Sequence, residues 1–263
     1  MKKAIQLLFV TLFIVTFTSC SSDSNNTFQE KLLKRIIEVN TDGTSSTFNF
    51  TYNGNKIVSI NSEVNTQTFN YAGNLITRII ELNTITQLQT TFDYTYSNDK
   101  LTKVICSDNY ELNYIYNENG TVSYEKTTRD LNNNIVLLFH GTFSFQGENI
   151  YEDKKILDTT GLNVLSKEEV SFVYDTKRNP LNNITGYNKL LDHFKNISAN
   201  NATSSIETAS TSFLETDQVV STAIQLPRVF QYDNNDYPTE TISDRPVFEN
   251  QNGNHLKSLY FYE

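Results

Sequence analysis

Residues 48–60 read FNFTYNGNKIVSI, and the fold follows from this stretch. Phe48, Phe50 and Tyr52 alternate with Asn49 and Thr51. Side chains of a strand point to opposite faces in turn, so strict alternation means a strand with one aromatic and one polar face. Asn53-Gly54-Asn55-Lys56 then supplies residues that tolerate the positive φ of a tight hairpin, and Ile57 to Ile60 form the returning strand.

The unit recurs. Phe69 and Tyr71 lead through Gly73-Asn74 into an aliphatic run from Leu75 to Ile79. Phe92, Tyr94 and Tyr96 lead through a polar turn to Leu101 and Val104, and Leu112, Tyr114 and Tyr116 lead through Asn117 to Gly120 into Val122. Weaker copies lie at 143–150, 170–174, 230–237 and 259–262, so the period is about 20–30 residues, one hairpin per repeat. Thr47, Asn70, Thr91, Asp93, Thr95 and Asn113 take the parity opposite the aromatics. A sheet with one apolar face does not stay open to water. The expected fold is all-β: an antiparallel meander of repeated β-hairpins, curled around its aromatic side into an open barrel or two-layer roll. Tyr187, Leu190, Leu191, Phe194 and Ile197 recur instead at helical spacing. They predict one short helix near 187–198 that covers an end or face of the roll. Residues 199–218, rich in Ser, Thr, Asn and Ala, read as a loop or a poorly ordered edge.

The N-terminus carries an address. Lys2 and Lys3 precede an apolar run of 14 residues, Ala4 to Phe17, and then Thr18-Ser19-Cys20. A bilayer span needs roughly 20 residues, so the run reads as a secretory signal rather than a membrane helix. Small residues before a cysteine resemble the lipobox of bacterial lipoproteins, with Phe17 in the place of the usual Leu. That resemblance implies cleavage before Cys20, lipidation of its thiol and acylation of the new amino group. The expected organisation is a lipoprotein signal peptide at 1–19, a lipidated tether at 20–30 and a single β-repeat domain at 31–263. Several acyl chains on one cysteine hold a protein at a membrane durably, whereas one chain binds marginally. Cys106 is then the one remaining thiol, and its apolar context LTKVICS reads as a buried, inert side chain.

The repeats and the address together resemble lipoproteins common in Bacteroidetes, which pair a lipobox with degenerate YD-repeat-like β-hairpins. The resemblance extends over nearly the whole mature chain. It includes a block running from Tyr174-Asp175 to Asn179-Pro180-Leu181-Asn182-Asn183 and a turn at Asp236-Tyr237-Pro238-Thr239. The chain lacks the regular Asp and Gly of the longer YD consensus. The resemblance implies a cell-envelope location, lipid-anchored and at the outer membrane, and carries no reaction.

Composition removes other classes. The formal charge is −9, and becomes −11 when Lys2 and Lys3 leave with the signal peptide. No basic stripe is present, so nucleic acid is not an expected partner. Three His and two Cys leave little scope for a triad or a zinc site, and no cofactor or metal is expected. No nucleophile elbow, His-Glu-x-x-His, Walker loop or dinucleotide fingerprint occurs. His140 reads as a structural residue on a strand. Asp192-His193 reads as a solvated helix face, since neighbours on a helix diverge by about 100°. His255 reads as exposed near a terminal turn. Asp108, Glu111, Glu168, Glu169, Asp233 and Asp236 are carboxylates from which a glycosidase would need one pair about 5–10 Å apart. Asp233-Asn234-Asn235-Asp236 could offer oxygen ligands to Ca²⁺, but reads as a hairpin turn.

Three functions fit. The first is a non-enzymatic, lipid-anchored envelope module that binds a glycan or an envelope protein and meets the membrane through Cys20. The second is a carrier of an apolar or planar ligand held inside the roll, with His140 or His193 as polar contact. The third is a carboxylate-dependent glycan hydrolase. A packed interior separates the first from the second, and two converging acids would mark the third.

Overall fold

The computed structural model describes residues 30–158, 163–248 and 255–263. Among them are sixteen strands: β1 (Leu33–Asn40), β2 (Ser45–Asn53), β3 (Lys56–Asn61), β4 (Asn65–Ala72), β5 (Leu75–Asn83), β6 (Gln89–Ser97), β7 (Lys100–Cys106), β8 (Tyr110–Tyr116), β9 (Val122–Arg129), β10 (Ile135–Gln146), β11 (Asn149–Leu157), β12 (Val164–Arg178), β13 (Asn200–Phe213), β14 (Gln218–Tyr232), β15 (Pro238–Ser243) and β16 (His255–Tyr262). Each pairs antiparallel with its neighbours in sequence, and β16 pairs with β1, Tyr260 opposite Ile36, so the meander closes. The expected barrel is thus closed rather than open. Closure leaves no sheet edge where all sixteen strands run side by side.

Parity decides what faces inward. Phe48, Phe50, Phe69, Tyr94, Tyr114, Tyr124, Phe143 and Phe172 are buried in the interior with Ile36, Ile57, Ile76, Leu101 and Val104. The alternate residues form the outer wall, where charge pairs bridge adjacent strands: Arg78 with Asp93 at 2.5 Å, Lys103 with Glu111 at 2.7 Å and Lys257 with Glu240 at 2.9 Å. Burying one large apolar side chain stabilises by about 1.5–3 kcal/mol, while an exposed pair gives at most about 1 kcal/mol. The interior therefore holds the barrel together, and the outer pairs favour its register and solubility. Exposed apolar residues also occur on the wall: Ile105 is outward beside Lys103 and Ile115 beside Asn113, and Val229 and Ile242 stand directly opposite each other on β14 and β15.

The repeat period reappears as a hydrogen-bond pattern. Tyr52 donates its hydroxyl to the Leu33 carbonyl, Tyr96 to Ile76, Tyr174 to Ile150 and Tyr262 to Pro238, at 2.7 to 2.8 Å across 19 to 24 residues. Each half-buried ring thus satisfies its one polar atom on the preceding strand. Burial pushes the phenol of Tyr71 up to about 12. On β10, Gly141 is required by contact. A Cβ there would meet the Tyr124 hydroxyl and lie 2.5 Å from the Lys154 carbonyl oxygen. Tyr124 spans this gap to donate to Asp153 Oδ1 at 2.5 Å.

A ring of sixteen strands is wide enough to enclose an aqueous lumen. Here the long β12–β13 connection fills it. Residues 179–199 fold across the end of the barrel where β1 starts and β16 finishes, burying Leu181, Ile184, Tyr187, Leu190, Leu191 and Ile197. The family-like motifs fasten this plug. Asn183 Nδ2 donates to the Lys31 carbonyl and to the Tyr237 hydroxyl, and Asn179 Nδ2 donates to the carbonyls of Asn196 and Ser198. The Thr185 N–H reaches the Asn55 carbonyl, and its own carbonyl accepts from Tyr71.

Covering an end of the barrel was the role expected of a helix near 187–198, but the segment is not one continuous helix. It forms two 3-10 turns, Tyr187–Lys189 and Leu191–His193, separated by Leu190 at φ −81°, ψ 81°. A short helix is marginal alone. The Ser/Thr-rich stretch read as a loop is the strand β13, paired with both β12 and β14. Its large apolar residues are sparse because its upper half rises with β14 beyond the ring, where Gln218 to Gln225 are exposed on both faces. A second segment, 244–248, closes over β1 and β2. The buried Glu38 Oε1 accepts the N–H groups of Val247 and Phe248 at 2.6 and 2.9 Å, and Phe248 packs on Phe48 and Phe50.

Candidate functional site

Between the plug, the 244–248 segment and the inner faces of β13 to β16 lies an open cleft. Strand alternation points Leu226, Arg228, Phe230 and Tyr232 of β14 inward. The plug contributes Lys195 and Asn196, and the closing segment Arg245, Pro246 and Val247. Tyr174, Asn201, Thr241, Ser243 and Tyr260 complete the polar part of the wall, and Phe230, Pro180 and Leu181 the apolar part.

The charge of this cleft opposes that of the chain. Lys195, Arg228 and Arg245 line it, and no carboxylate does. The inward-facing Glu207 of β13 lies behind them and is already engaged, by Lys195 at 3.0 Å and Arg245 at 3.5 Å. Burial pushes the Glu207 carboxyl up, but Lys195, Arg245 and Arg228 outweigh it and hold the group below the usual range. Arg228 has no hydrogen bond or ion pair among the described residues, and burial weakens its hold on its proton. A planar guanidinium in this state offers a fork of donors suited to one oxyanion.

The residues singled out in the sequence are not gathered here. Cys20 lies outside the described residues. Cys106 is buried and free, accepting the Asp108 N–H at 3.5 Å. His140 is exposed on the outer wall, 2.7 Å from Asp158 Oδ2. His193 Nε2 lies 3.8 Å from Asp192 Oδ2, too far for a hydrogen bond. Asp192 is not on a solvated face, as expected, but faces the interior, where Oδ2 accepts from Tyr94 at 2.9 Å. His255 is buried rather than exposed, because the irregularity between the Val39–Lys257 and Asn40–His255 pairs resets the alternation at the start of β16; it contacts Ser258 Oγ at 3.3 Å, and burial pushes its pKa down. The carboxylates are dispersed. Asp108 and Glu111 flank the β7–β8 turn, Glu168 and Glu169 take opposite faces of β12, and Asp233 and Asp236 sit in the β14–β15 turn at the other end. Asp233 Oδ1 accepts two backbone N–H groups, its Oδ2 pairs with Lys31, and Asp236 pairs with Lys177, so the acidic tetrad serves as a turn.

Arg228 carried a readable signal, a cation at the inward parity of an aromatic strand. Lys195 and Arg245 carried none, because both stand on connections whose path depends on the closed barrel.

No family model matches the chain, and no curated protein matches it. A crystal structure of a porin-like protein from Bacteroides vulgatus is similar over 89% of this chain and 99% of its own, with a TM-score of 0.56 and 10% sequence identity. A porin-like protein from Bacteroides uniformis aligns over 88% and 96%, with a TM-score of 0.39 and 12% identity. At such identity the first likeness establishes a shared fold, a large closed antiparallel barrel.

Proposed function

We propose that this chain is a water-soluble β-barrel, tethered to the cell envelope by a lipid on Cys20, that acts as a non-enzymatic binding module. The observation that carries the reading is the polarity of the wall. A membrane-spanning barrel turns an apolar band about 25 Å tall toward lipid and polar residues inward. This barrel does the reverse, with Phe and Tyr inside and Arg78–Asp93, Lys103–Glu111 and Glu240–Lys257 pairs outside. A transmembrane pore, which the name of the Bacteroides vulgatus neighbour suggests, would also need a passage where the plug now packs. The dispersed histidines and carboxylates favour binding over catalysis. Residues 20–30 would emerge at the plugged end and reach at most about 35 Å, which would turn the β12–β14 projection away from the membrane.

Mass spectrometry of the mature N-terminus is expected to show an acylated Cys20, with the wild type in the membrane fraction and Cys20→Ala in the soluble one. An unmodified Cys20, or a Cys20→Ala chain that still fractionates with membrane, would contradict the tether.

A further inference from the structure

We infer that the cleft between the plug and β13–β16 binds a small organic acid through its carboxylate, with Arg228 as the primary contact. The inference rests on the reading of the barrel as a binding module and names the class of its ligand. Three cations converge on one cleft in a chain of net charge −9, and Glu207 beside them pairs with only two, Lys195 and Arg245. The third, Arg228, is held on a strand by β13 and β15 pairing, so its position is fixed before any ligand arrives. A half-buried guanidinium with no bonded anion disfavours the folded state, because the more distant pull of Glu207 does not replace the hydrogen bonds lost with water. Such a group makes physical sense where a ligand completes it. The remaining wall is mixed: Asn196, Asn201 and Ser243 offer polar groups, while Phe230, Pro180, Leu181 and Val247 offer apolar surface. A bare inorganic ion would leave this surface unused. A carboxylate carried on a compact ring or chain uses both parts.

Calorimetric titration of the full chain at low ionic strength, with glucuronate and benzoate against glucose, benzyl alcohol and sulfate, tests this. Saturable binding of at least one carboxylate is expected, without binding of its neutral analogue. Arg228→Gln should weaken it ten- to a hundredfold, the loss of a charge-assisted pair, and Arg228→Lys should fall between. The outer-wall variant Arg78→Gln should bind as wild type. Arg228→Gln is also expected to raise Tm by about 2–4 °C, because it removes an uncompensated charge. A lowered Tm would assign Arg228 a structural role and overturn the inference, as would sulfate binding as tightly as either carboxylate. Binding of neutral sugars that is indifferent to Arg228→Gln would overturn the acid site while leaving the module reading intact. Absence of binding by every probe would count against both.

Discussion

Replacing Tyr94 with Phe is expected to cost about 2–3 kcal/mol, and replacing it with Ala about 3–5 kcal/mol. The ring is 5% exposed, and its hydroxyl donates to Asp192 Oδ2 at 2.9 Å. Asp192 Oδ1 is buried with no hydrogen-bond partner among the described residues. The phenol is thus the donor that makes this carboxylate tolerable inside the barrel, and that carboxylate, after burial itself, pushes the Tyr94 pKa far above its ordinary value. Deleting the hydroxyl leaves the acid without a hydrogen-bond partner, with only His193 Nε2 at 3.8 Å, and deleting the ring adds a cavity between β6 and the plug. The loss in Tyr94→Phe should be largely recovered in Tyr94→Phe/Asp192→Leu, where no orphaned acid remains. Urea unfolding of the wild type, Tyr94→Phe, Asp192→Leu and the double variant measures the cycle. A loss below about 1 kcal/mol in Tyr94→Ala would mean that the repeat aromatics are not core.

Gly186→Ala is expected to cost about 3 kcal/mol. Gly186 has φ 76°, a left-handed conformation that costs an L residue about 1–2 kcal/mol. A Cβ would also lie 2.5 Å from the Asn74 carbonyl oxygen in the β4–β5 turn, a backbone atom with little freedom to move. Overpacking of this kind adds about 1–3 kcal/mol. Equilibrium unfolding should show the loss, and hydrogen exchange at the Thr185 amide, which bonds to Asn55, should accelerate. Tolerance within about 0.5 kcal/mol would place the plug elsewhere than against the β2–β3 and β4–β5 turns.

These two positions show what the sequence discloses. Tyr94 was legible as core, because Phe92, Tyr94 and Tyr96 share a parity that only a strand with a covered face can use. The hairpin turns were legible in the same way, as with Gly54 at φ 58° between two alternating runs. Closure was not, since one hairpin looks alike in an open roll and in a ring; it depends on β16 reaching β1 across the whole chain. The plug was half legible. Its apolar residues announced burial, but their spacing imitated a helix, because two 3-10 turns that set buried Tyr187, Leu190 and Leu191 against exposed Asn188, Lys189 and Lys195 leave a similar period. β13 was missed for the converse reason. Ser, Thr and Ala suit a strand whose upper half stands free of the core, and no apolar period marks it.

The cleft was the least legible element. Its three cations stand on β14, on the plug and on the segment after β15, and only the closed fold brings them together. The proposed tether and the barrel wall make independent demands on the chain, one at Cys20 and one at the outward strand positions. The wall is the central claim. The most direct test is size-exclusion chromatography of the mature chain carrying Cys20→Ser, in detergent-free buffer and after incubation with liposomes. The account expects a monodisperse soluble protein that unfolds cooperatively and does not float with vesicles. Aggregation relieved by detergent, or insertion into the vesicles, would mean that the outer wall faces lipid and would contradict it.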